Sequence, residues 1–241
     1  KTLFNGSKVL DDAKAAKEAK VAAAKAEKAE KAAKAKAKAE KKAAKEKAEK
    51  RKTDIALGEK TRTVTEWKKL FGFEKYGDGL IITAYKGEEE IVEVPAMIGK
   101  DTVIAIGESA FSGCNFQGEL VIPWQVKSIM GCFSDNEFSR IVFPENSELT
   151  RIGHYAFANN WRLSEPIILP KELMLIEDNV FEGCRGIPQI VLPSKLEIIG
   201  NGAFAGCFGL SSIISHAIIP PMLGDGAFSH VPKDNFTMEV P

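Results

Sequence analysis

Six phenylalanines set a period along the C-terminal two-thirds of this chain: Phe111, Phe133, Phe157, Phe181, Phe204 and Phe228, separated by 22, 24, 24, 23 and 24 residues. A unit of that length is one turn of chain and cannot bury its own apolar side, so successive units must stack into a solenoid. Each Phe follows Ala, Val or Cys, as in Ala110-Phe111 and Val180-Phe181. Three residues after it stand Cys114, Asn136, Asn160, Cys184 and Cys207, with Val231 in the last unit. A short apolar run ending in proline follows: Leu120 to Pro123, Ile141 to Pro144, Ile167 to Pro170 and Ile190 to Pro193. An apolar pair then recurs: Val126 and Ile129, Leu149 and Ile152, Leu173 and Ile176, Leu196 and Ile199.

Physical chemistry accounts for these choices. The Phe, Ile, Leu and Val positions form columns inside the stack, each large side chain contributing about 1.5 to 3 kcal/mol on burial. Proline closes each strand, where its missing N–H costs least. Asn at the ladder position satisfies inward backbone groups of neighbouring coils, and Cys fills the same slot as a small hydrophobe with a weak donor. The unit from Ile129 to Phe133 is one residue short, which puts Cys132 off the ladder.

The pattern I-x-I-P-x-x-V-x-x-I-G-x-x-A-F-x-x-C, running from about Val92 to the end, resembles the BspA-like, or Treponema-type, leucine-rich repeat family. The segment from Pro220 to Phe228, followed by Phe236 to Pro241, resembles that family's closing repeat. The resemblance implies a right-handed coil stack that binds a protein or glycan partner, a secreted or cell-surface location and a role in adhesion. It carries over no catalytic residue and no cofactor.

Upstream the chain changes character. Lys1 to Lys52 hold 18 basic and 8 acidic residues, and the remainder 15 and 25. Asp11 to Lys52 consist almost wholly of Ala, Lys and Glu without Gly or Pro, which predicts a helix of about 60 Å at 1.5 Å per residue. Ala15, Ala19, Ala22, Ala26, Ala29 and Ala33 have coiled-coil spacing. An alanine seam is weak, so residues 11–52 serve as a solvated stalk, with homo-oligomerisation or docking into a larger assembly as the alternative and anionic-polymer binding as a third. Interleaved glutamates and the lack of aromatic residues argue against nucleic acid. The expected organisation is a Lys/Ala/Glu-rich stalk over 1–52, a connector over 53–78 and an α+β repeat solenoid over 79–241. In the connector, Thr63-Val64-Thr65-Glu66 has capping-box spacing ahead of a short helix near Val64 to Leu70. Two strands around Tyr76-Gly77-Asp78-Gly79 would form a hairpin cap, and the chain turns again into Ile91 to Val94.

No apolar run is long enough to span a membrane, and Lys1 to Leu10 lack a signal peptide's apolar core. The single His154, His216 and His230 and the unpaired cysteines do not have zinc-site spacing. No nucleophile-elbow, phosphate-loop or zinc-protease motif occurs, so neither an enzyme nor a cofactor is expected. Function is sought in outward rows, where equivalent residues of successive coils lie side by side. The residue after the ladder position reads Asn115, Glu137, Trp161, Arg185 and Phe208, an aromatic–Arg–aromatic run suited to an interface. Trp124, after a strand proline, is a further candidate. By alternation Val121, Val142, Ile168 and Val191 form a second outward row.

Overall fold

A computed structural model of the chain describes residues 62–234 and 236–241. The stalk expected over 11–52, and with it the oligomer, docking and polyanion readings, lies outside the described residues.

The described chain opens with helix α1 (Val64–Leu70), whose N-cap Thr63 accepts from the Glu66 N–H while the Glu66 carboxylate accepts from the Thr63 N–H, the reciprocal box read from the sequence. Its Trp67 is buried, and Arg62 lies 5.5 Å over that ring while also bonding Glu89 at 2.8 Å. Strands β1 (Phe71–Tyr76) and β2 (Gly79–Tyr85) pair antiparallel around the glycine turn. The stretch Ile91 to Val94 is irregular, although Val92 and Val94 are buried. A short β3 (Met97–Ile98) instead folds antiparallel onto β4 (Asp101–Ile106).

From β4 onward each coil contributes a strand to a parallel sheet. β6 (Ser128–Ile129), β8 (Arg151–Ile152), β10 (Leu175–Ile176), β12 (Ile198–Ile199) and β14 (Met222–Leu223) follow β4 in order, with β2 and then β1 beyond it, so the nine-stranded sheet includes β3 off its edge. Two further parallel sheets form from the same coils: β5 (Gln117–Val121) with β7 (Glu137–Val142), and β9 (Ile167–Ile168), β11 (Gln189–Leu192), β13 (Ser212–Ser215) and β15 (Thr237–Glu239) in order. The segments that carry the phenylalanines are turns rather than helices. Apart from α1 the described residues form a β-solenoid of stacked coils with short strands; the long helix of the α+β expectation lies outside the described residues.

The core is the predicted column. Phe111, Phe133, Phe157, Phe181 and Phe204 are each fully buried, and Phe228 is half-buried. Ring centroids from Phe133 through Phe228 are 5.6, 5.3, 5.4 and 5.2 Å apart, with ring planes within 13° of parallel. A second aromatic column, Tyr85–Phe116–Phe138, runs beside it through the first coils, its centroids 4.9 and 6.1 Å apart. Leu163, Ile187 and Leu210, all buried, take over its place.

The ladder residues bond to the Phe carbonyl of the coil before. Asn136 Nδ2 donates to Phe111 O at 2.8 Å, Asn160 Nδ2 to Phe133 O at 2.9 Å, Cys184 Sγ to Phe157 O at 3.1 Å and Cys207 Sγ to Phe181 O at 3.3 Å. Asn136 Oδ1 also accepts from Phe116 N–H at 3.0 Å, whereas Asn160 Oδ1 is buried without a partner. Cys132 occupies the core position before Phe133, fully buried, as its shifted register implies.

A thiol can donate only while protonated. Burial pushes Cys184 well above the ordinary value and Cys207 up to about 12. These folded-state values lie above those of the unfolded chain, so the stabilisation they give is full below about pH 8.5 and is lost as pH rises toward 12. In urea titrations the unfolding free energy is therefore expected to fall between about pH 9 and 12, with Cys207→Ala flattening the slope by up to about 1.4 kcal/mol per pH unit. An unchanged slope in that variant would remove the thiol from the ladder's energetics.

Candidate recognition surface

The outward row is built by a change in connection length. In the first two coils one residue separates the ladder position from the next core residue: Asn115 between Cys114 and Phe116, and Glu137 between Asn136 and Phe138. In the next three coils two residues intervene: Trp161-Arg162 before Leu163, Arg185-Gly186 before Ile187, and Phe208-Gly209 before Leu210. Each pair is a turn, with Trp161, Arg185 and Phe208 exposed at its first position. Trp161 is 51% and Phe208 53% exposed, high for residues of that size. A Cβ on Gly186 would stand 2.4 Å from Leu163 O, and one on Gly209 2.7 Å from Arg185 O. Glycine there lets the turns of adjacent coils stack closely.

Both rings carry a guanidinium. Arg162 lies 4.8 Å over Trp161, and Arg185 lies 5.9 Å over Phe208. The two cations differ in their other contacts. Arg162 also has Glu137 of the preceding coil at 3.3 Å. Among the described residues no carboxylate lies within ion-pair distance of Arg185. Of the residues singled out in the sequence, Arg185 and Phe208 meet directly, while Trp161 is engaged by Arg162, which the sequence reading did not single out. The change in ladder-to-core spacing was the available signal for that pair. Trp124 is half-buried in the turn between β5 and β6, where its carbonyl accepts from Glu148 N–H, on a different connection of the coil from the row.

The second row is less uniform than alternation implies. Ile168 is 64% exposed, Val142 and Val191 are half-buried, and Val121 is buried. On the other sheet a cleft of about 470 Å³ is lined by Met174, Lys195, Leu196, Ile218, Ile219 and Met222 among others. No group of His, Cys, Asp or Glu among the described residues is arranged to hold a metal ion.

The family model of the BspA type leucine rich repeat region matches residues 104–233 in six copies. The chain belongs to this family. The matched BspA-type repeats begin in β4 and take in every stacked phenylalanine and the whole row. Among solved structures, this BspA-type chain is similar to the T. pallidum leucine rich repeat protein, at 22% identity over 68% of this chain and 89% of that one, with a TM-score of 0.48. It is also similar to a leucine-rich repeat protein from Bacteroides ovatus, at 23% identity over 70% and 59% of the two chains, with a TM-score of 0.40. A leucine rich cell surface protein from Faecalibacterium prausnitzii gives 22% identity, 63% and 54% coverage and a TM-score of 0.40. No curated protein matches the chain.

Proposed function

We propose that the repeat scaffold is a non-enzymatic recognition module that binds a protein partner through Trp161, Arg185 and Phe208, in the manner of an adhesive surface. One observation carries this reading. Three consecutive coils each lengthen the same connection by one residue, and its first position holds two exposed aromatic rings and an exposed arginine that the core does not need. Exposed aromatics beside Arg are the commonest energetic anchors of protein interfaces. Family membership supports a scaffold role, and glycan recognition is the neighbouring reading. Trp124, half-buried elsewhere on the coil, is a secondary contact at most.

The test is alanine substitution. With a partner isolated on the full chain from its native source, Trp161→Ala and Phe208→Ala are each expected to weaken binding by about thirtyfold, the effect of an interface anchor worth about 2 kcal/mol. Affinities within twofold of the parent for both variants would exclude the row.

A further inference from the structure

The row's spacing and charge identify the kind of segment it fits, and this inference rests on the reading of the row as the recognition surface. The three coils that carry Trp161, Arg185 and Phe208 are those of Phe157, Phe181 and Phe204, paired in parallel through β8, β10 and β12 and through β9, β11 and β13, which sets them about 4.8 Å apart. Residues at i, i+4 and i+7 on one helix face lie about 6.0 and 10.5 Å along its axis, within about 1.2 Å of the second and third coils at about 4.8 and 9.6 Å. An extended strand laid along the same line places same-face side chains about 6.6 Å apart and drifts out of register by the third coil.

Charge then decides the middle position. Arg162 is balanced by Glu137, while Arg185 stands between the two aromatic positions with no carboxylate of its own among the described residues. A guanidinium held near a ring still offers its N–H donors to a planar acceptor, and a carboxylate meets that fork with two parallel hydrogen bonds.

We propose that the row docks an amphipathic helix of a partner protein, lying along the stacking axis, with apolar residues at i and i+7 over Trp161 and Phe208 and an Asp or Glu at i+4 on Arg185. An incoming carboxylate gives Arg185 the partner that Glu137 gives Arg162 and that Arg185 lacks among the described residues.

The probe is a fluorescently labelled synthetic helix on an Ala/Gln/Lys background bearing Leu, Glu and Leu at i, i+4 and i+7, titrated with the full chain and followed by anisotropy. Saturable binding is expected, about tenfold weaker when the peptide's Glu is replaced by Gln. Moving the three residues to i, i+2 and i+4, off a single helix face, should abolish it. Arg185→Ala in the protein should erase the Glu-to-Gln difference, and Arg162→Ala should preserve it.

The proposal is overturned if the Glu and Gln peptides bind alike, if the difference survives Arg185→Ala, if the respaced peptide binds equally, or if no helical peptide binds. Should Trp161→Ala and Phe208→Ala weaken the peptide while Arg185→Ala does not, the row stands and the acidic helix falls. Should peptide binding and partner binding both ignore all three substitutions, the row falls too.

Discussion

Replacing Phe157 with alanine is expected to lower the unfolding free energy by about 3 to 5 kcal/mol, at the upper end for a core phenylalanine. Phe157 is fully buried between the rings of Phe133 and Phe181, 5.6 and 5.3 Å away. The cost of such a truncation depends on how far the site can collapse, and here the backbone prevents collapse. Phe133 N–H donates to Ala156 O at 2.8 Å and Phe157 N–H to Val180 O at 2.9 Å, so the coil spacing is held by hydrogen bonds whether or not the ring is present. The cavity persists, walled by two flat rings. Phe228, half-buried against Phe204 alone, should cost less than half as much when truncated. Urea denaturation of the two variants checks this; equal losses would mean that the phenylalanine column is not the spine of the stack.

The second large effect is an asymmetry between two asparagines that look interchangeable in the sequence. Asn136 serves both ways: Nδ2 donates to Phe111 O and Phe133 O, and Oδ1 accepts from Phe116 N–H. Asn136→Ala strands buried groups on two coils and should cost about 2 to 4 kcal/mol. Asn136→Cys returns a donor and still leaves the Phe116 N–H unmet, so it recovers only part of the loss. Asn160 also donates to two Phe carbonyls, yet its Oδ1 meets nothing. Cysteine already does the donor's share at positions 184 and 207. Asn160→Cys should therefore lie within about 1 kcal/mol of the parent. Thermal and urea unfolding of Asn136→Cys and Asn160→Cys decide it, and similar losses at both positions would contradict the assignment of an acceptor role to Asn136 alone.

The parts of the fold that were legible were those governed by periodicity. A residue that must be apolar once per coil leaves a mark at fixed spacing, so the Phe column, the ladder, the off-ladder Cys132 and the capping box at Thr63 and Glu66 could all be read before any coordinates. What escaped depends on variation between coils. The Phe116–Phe138 pair was hidden because later coils fill that column with Leu163, Ile187 and Leu210 one residue further along. The same one-residue change makes the turn that exposes Trp161 and brings Arg162 over it. The β3–β4 pairing was not legible after the turn into Ile91 to Val94, where Val92 and Val94 are buried from an irregular segment. Val121 shows the complementary limit: period-two reasoning assigns it a face, and burial depends on what packs over that face.

The central claim is that the row recognises a partner and contributes nothing essential to the fold. The most direct test combines Trp161→Ala, Arg185→Ala and Phe208→Ala in one full-length chain and measures thermal unfolding and partner affinity on the same preparation. The predicted result is a melting temperature within a few degrees of the parent, as expected for surface substitutions, together with a loss of binding of more than a hundredfold. A large drop in melting temperature, or an affinity that does not change, would contradict it.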